Sequence, residues 1–111
     1  MIRATIDHHD NYISGFTIKG HADAGEYGQD IVCAAVSVLS ISTINGLQEV
    51  AGLDVDVESD EENGGFLSLS IPIDKKESIQ QIKSDAILQT FENGMLDIAT
   101  NYSDFIQITI N

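Results

Sequence analysis

Ile2, Ala4 and Ile6 alternate with Arg3, Thr5 and Asp7 at the head of the chain. A period of two with one apolar side predicts a half-buried strand. His8 to Asn11 reads as a polar turn, and Tyr12 to Lys19 as a second strand with Phe16 and Ile18 on one face. Ile13 falls on the opposite parity, which points to a bulge near Gly15. After a polar, glycine-punctuated stretch from Gly20 to Gln29, a helix is expected from Ile31 to about Val50, with Gly52 as its stop. Its apolar set of Ile31, Ala34, Ala35, Val38, Leu39, Leu47 and Val50, with Ser42 among them, is broad. Such breadth predicts a largely buried helix.

Leu53, Val55 and Val57 alternate with Asp54, Asp56 and Glu58, so a third strand should carry an acidic outer face. Asp60 to Gly65 reads as a hairpin turn, because Asn-Gly and Gly-Gly supply the positive φ that tight turns require. Phe66 to Ile73 should return as a fourth strand, stopping near Pro72. Leu88, Phe91, Met95, Ile98 and Tyr102 step by three and four, marking the inner face of a helix from about Lys76 to Asn101 that Gly94 weakens locally. Ile106, Ile108 and Ile110 close the pattern as a last strand. The expected order is β-β-α-β-β-α-β: one α+β domain over residues 1–111, with two helices on one face of a small mixed or antiparallel sheet of about five strands.

Composition changes this picture in one respect. Eighteen Asp and Glu against five Lys and Arg give a net charge of −13. A surface of that sign repels a phosphate backbone, which excludes direct nucleic-acid binding, and it attracts basic partners. A single cysteine excludes an internal disulfide framework and fits a reducing cytoplasm. No signal-peptide pattern opens the chain, and the apolar run Ile31 to Ile44, interrupted by Ser and Thr, reads as too short to span a bilayer.

That cysteine, Cys33, lies near the start of the first helix. With Asp30 as N-cap it stands three residues in, where the helix dipole and the free N–H groups favour a thiolate and could hold an oxyanion. A free cysteine among Ile, Val and Ala also reads as a small buried hydrophobe. His21 follows the second strand between Gly20 and Ala22, twelve positions before Cys33. Strand, loop and helix could fold back to make it the general base for that thiol. Asp30 either caps the helix or orients His21. Ser37, one turn after Cys33, either bonds into the site or back-bonds to the carbonyl four residues earlier. His8 and His9, adjacent in a turn, are poorer candidates.

Three other chemistries fail on spacing. No Gly-Lys-Ser/Thr follows the loop glycines, and Asp23 and Glu26 would repel phosphate. A calcium loop counted from Asp54 places Ser59 where Gly is required and Gly65 where Glu is required. The cysteine and scattered histidines lack zinc-ligand spacing, so neither metal nor cofactor is expected.

The string from Gly20 to Ser37, GHADAGEYGQDIVCAAVS, resembles the signature of the Prp family of ribosomal-processing cysteine proteases, also called YsxB-like proteins. The likeness extends over the chain in length and element order, down to Tyr102 to Ile106 before the last strand. It implies that Cys33 is the nucleophile and His21 its partner, with Asp30 and Ser37 in support. It further implies a substrate loop, here Gly20, Ala22, Gly25, Tyr27 and Gly28, that moves on binding. The implied substrate is ribosomal protein twenty-seven of the large subunit, cut after paired phenylalanines and before an alanine to remove its N-terminal extension. A homodimer without a cofactor completes what the resemblance implies, and the residues add a cytoplasmic protein with no membrane attachment. A rival class is a non-enzymatic acidic chaperone or assembly factor holding a basic ribosomal protein, and a thioesterase is a third. Loss of activity with loss of the thiol separates the enzymes from the chaperone, and a survey of peptides and thioesters separates the enzymes.

Overall fold

The structure is a computed structural model that describes residues 1–20, 29–60, 65–72 and 78–111, with positions 29, 30 and 78 described by backbone alone. Alternation near the N-terminus builds β1 (Ile2–His9) and β2 (Tyr12–Lys19), paired antiparallel. His8 and His9 belong to β1 rather than to a turn, and the hairpin reverses at Asp10 and Asn11, with Asp10 at φ 56°. An Asp tolerates this left-handed conformation better than most residues do. The register passes from Asp7↔Gly15 to His8↔Ile13, so Ser14 is the extra residue of a bulge, beside the expected Gly15. The bulge returns Ile13 to the core, where it is buried, and Ser14 Oγ donates to the Asp7 carbonyl at 3.2 Å.

The remaining elements are α1 (Gln29–Glu49), β3 (Asp56–Asp60), β4 (Phe66–Ser70), α2 (Ser78–Asn101) and β5 (Ile106–Ile110). The strands form one mixed sheet in the order β3-β4-β2-β1-β5. Only β1 and β5 run parallel, and β3 and β4 pair antiparallel as the predicted hairpin. The third strand begins three residues later than its alternation suggests, and Val57 stays exposed because β3 is an edge.

Ile2, Ala4, Ile6, Phe16, Ile18 and Leu69 are buried on one face of the sheet. They form a single core with Val32, Val36 and Leu47 of α1 and Leu88, Phe91 and Met95 of α2. The opposite face carries Arg3, Thr5, Thr17, Lys19 and Ser68, none of them fully buried. Both helices therefore pack on one side. Tyr102 lies beyond α2 and is exposed, so the buried stripe of that helix ends with partly buried Ile98.

The inner face of α1 differs from the expected one. Val32, Val36, Ser40, Thr43 and Leu47 are buried, whereas Ile31, Val38 and Val50 are exposed. Ser40 Oγ donates to the Val36 carbonyl at 2.6 Å and Thr43 Oγ1 to the Leu39 carbonyl at 2.7 Å. Hydroxyls satisfied by their own helix can be buried at little cost, so the polar residues went inside. Residues Ile31–Glu49 are also long and apolar enough to cross a bilayer, contrary to the sequence expectation. Length and composition alone are weak grounds for such a crossing, and the Val32–Leu47 side of this helix packs on the sheet.

Candidate active site

Cys33 is carried by the second turn of α1 and is partly buried against the core. The helix begins at Gln29, so Asp30 is inside its first turn by backbone position and is not the N-cap. This shift moves Cys33 one turn in, where its own N–H enters the i→i−4 ladder. The free donors are those of the residues before it. Helical side chains lean toward the N-terminus, so the thiol is directed back over that first turn.

Beside Cys33 lies a cleft of about 490 Å³ between the N-terminal half of α1 and the ends of β1, β2 and β4. Cys33, Ser37 and Ser40 line it along one helix face. Ile2, Ile18, Phe66 and Leu67 supply its apolar sheet side. Ser37 is exposed and makes no hydrogen bond to the Cys33 carbonyl among the described residues, so the back-bonded reading of this serine fails. It lines the cleft instead.

Gly20 stands at the edge of the same cleft with φ 99°. Its N–H donates to the Gly65 carbonyl at 2.9 Å, and a Cβ there would collide with the Met1 carbonyl oxygen. Only glycine satisfies both the left-handed φ and the close approach. The chain therefore leaves β2 at a fixed point beside the thiol's cleft. His21, Ala22, Gly25, Tyr27 and Gly28 lie outside the described residues.

The other histidines are far from this chemistry in the fold. His8 Nε2 is 2.9 Å from Glu92 Oε2, tying the end of β1 to α2, and the His9 ring meets Tyr12 edge-on. Among the described residues no cluster of His, Cys, Asp or Glu could hold a metal ion.

Several cleft residues were not singled out from the sequence. Ser40 and Ile41 fall two helical turns after Cys33, a spacing that could have placed them beside it. Phe66 and Leu67 gave no such signal, because only the β4–β2 pairing brings them to α1.

The family model for the cysteine protease Prp matches residues 1–107. The ribosomal processing cysteine protease Prp of Bacillus subtilis is 30% identical over 112 residues, covering 100% of this chain and 98% of its own. A Streptococcus mutans protein of known crystal structure superposes with a TM-score of 0.89 at 33% identity, over 99% of this chain and 93% of that one. The essential ribosomal processing protease Prp of Staphylococcus aureus, crystallised with a covalently linked product peptide, gives 0.81 at 27% identity over 100% of both chains. This chain belongs to the Prp family of cysteine proteases.

Proposed function

We propose that this member of the Prp family removes the N-terminal extension of large-subunit ribosomal protein twenty-seven, with Cys33 as nucleophile and His21 as its base. The observation that carries the reading is the chain's lone cysteine, set in the second turn of a helix in the wall of an apolar cleft. His21 is bonded to Gly20, which borders that cleft.

In this mechanism His21 takes the proton from the Cys33 thiol and the thiolate attacks the scissile carbonyl. Free N–H groups of the first turn of α1 hold the resulting oxyanion. Collapse expels the amine of the downstream product, which takes its proton from His21. Water then adds to the thioester, and its breakdown releases the carboxylic acid and the thiol. Ile2, Ile18, Phe66 and Leu67 provide the apolar surface for a hydrophobic segment ending in paired phenylalanines. Asp30 and Ser37 support the pair, Ser37 from within the cleft. The stretch bearing Gly25, Tyr27 and Gly28 closes over the peptide.

The reading includes a homodimer. Ile31, Ala34, Val38, Ile41 and Asn45 are exposed on α1 at alternating spacings of three and four. That is the seam by which one helix packs on another, and a single Asn in such a seam fixes its register. A lone thiol fits the reducing cytoplasm that the reading takes as the enzyme's compartment.

The test is incubation with a peptide carrying the paired-phenylalanine and alanine junction. Cleavage between phenylalanine and alanine is expected, with none by Cys33→Ala or His21→Ala. Undiminished cleavage by either variant overturns the assignment of that residue. If the protein does not cut the peptide but Cys33→Ala still binds it, the acidic chaperone reading takes its place.

A further inference from the structure

β3 ends one side of the sheet, and among the described residues no strand pairs with its outer edge. An edge of this kind presents unpaired N–H and C=O groups to any extended chain that reaches it. The strand is exposed along almost its whole length, from Asp56 through Ser59.

The side chains of β3 alternate in chemistry as well as direction. Val57 and Ser59 pair with Leu69 and Leu67 and so share the helix-covered face, and Ser59 lines the cleft that holds Cys33. Asp56, Glu58 and Asp60 pair with Ser70, Ser68 and Phe66 on the opposite, open face. The carboxylates therefore repeat every second residue, about 6.8 Å apart. Neither Asp56 nor Glu58 forms a salt bridge with a described residue.

Charged edges commonly serve to block pairing between copies. Here the block is one-sided in sign. A second β3 would set acid against acid, whereas a strand with Lys or Arg at alternate positions would set base against acid along its length. Cleft and edge are continuous through Ser59. A peptide whose hydrophobic segment fills the cleft can thus run onto the edge without a break.

We propose that the outer edge of β3 docks the basic part of the substrate as an added strand. Its Lys or Arg side chains at alternate positions lie against Asp56 and Glu58, and its backbone completes the edge. The main-chain bonds supply affinity and the alternating charges supply register. This inference rests on the cleft being the proteolytic site, and it assigns the next stretch of the same substrate a place on the enzyme.

Binding can be tested without turnover. The Cys33→Ala protein is titrated with the junction peptide extended beyond its alanine by alternating Lys and Thr, and with a peptide of equal charge whose lysines are grouped together. The alternating peptide should bind about five-fold more tightly, a margin set by two exposed ion pairs. N-methylation of alternate tail amides in one of the two registers should remove that margin, as should Asp56→Asn combined with Glu58→Gln. Equal affinity for both tails, or indifference to N-methylation in both registers, leaves only long-range charge attraction and overturns the docked strand. Cleavage of the untailed junction peptide by the unaltered protein is measured alongside, so failure of the protease reading is seen separately.

Discussion

Phe91 of α2 stacks on Phe16 of β2, with ring centroids 4.2 Å apart and planes inclined by 25°. Both rings are fully buried, so this contact joins the helix layer to the sheet at the centre of the molecule. Truncation leaves a cavity and also removes the stacking. Phe91→Ala should lower stability by about 3–5 kcal/mol, read as a drop in the denaturation midpoint with the slope unchanged.

Gly15 lies where β2 meets β4, and a Cβ there would collide with the Leu69 carbonyl oxygen. Backbone on both sides leaves little to yield. Gly15→Ala should therefore destabilise by about 2–3 kcal/mol, at the upper end of ordinary single substitutions. Gly52→Ala offers the comparison: a Cβ there meets nothing closer than 3.7 Å, so the cost arises from its φ of 69° alone. It should be about 1–2 kcal/mol.

Leu67 lines the cleft from the helix-covered face and is only partly buried, so its side chain is available to a ligand rather than wholly committed to the core. Leu67→Ala should reduce kcat/KM for the hydrophobic junction peptide by about ten-fold, equivalent to about 1.4 kcal/mol of apolar contact. The loss should appear mainly in KM. An equal fall in kcat at unchanged KM would place the side chain at the reacting bond instead.

Val38 is 66% exposed at the middle of the α1 seam. Val38→Asp should leave the monomer fold intact, since no core contact is removed, and should shift the protein from dimer to monomer by sedimentation equilibrium. A dimer that survives this change assembles through another surface.

The sheet and the order of its elements were legible because strand alternation is a local signal. Ile2 to Asp7 and Ile106 to Ile110 show it directly, and Ile13 even announced the bulge by falling out of phase. The face of α1 was not legible. Its apolar residues go round the helix, and what decides the inner side is whether a residue's polar group can be satisfied there. Ser40 and Thr43 meet that condition through carbonyls of their own helix, which hydrophobic counting does not register. The helix start was misplaced by two residues for a related reason. Asp30 has the chemistry of a cap, but the helix extends past it to Gln29. Within the site, Cys33 stood out as the single thiol, while Phe66 and Leu67 depended on a strand pairing that no local pattern encodes.

The parallel pairing of β1 with β5 joins residues about a hundred positions apart, beginning with Ile2 opposite Ile106. Contacts of that separation form late, because a long loop must close before they return any stabilisation. The hairpins β1–β2 and β3–β4 can form from neighbouring residues, and so can the helix that bears Cys33. Yet Ile2 is a wall of the cleft, held between β2 and β5. The thiol of Cys33 thus sits on a unit that can form from local contacts, while the cleft beside it is walled in only when the last strand arrives. Completion of folding and completion of the cleft wall are the same event.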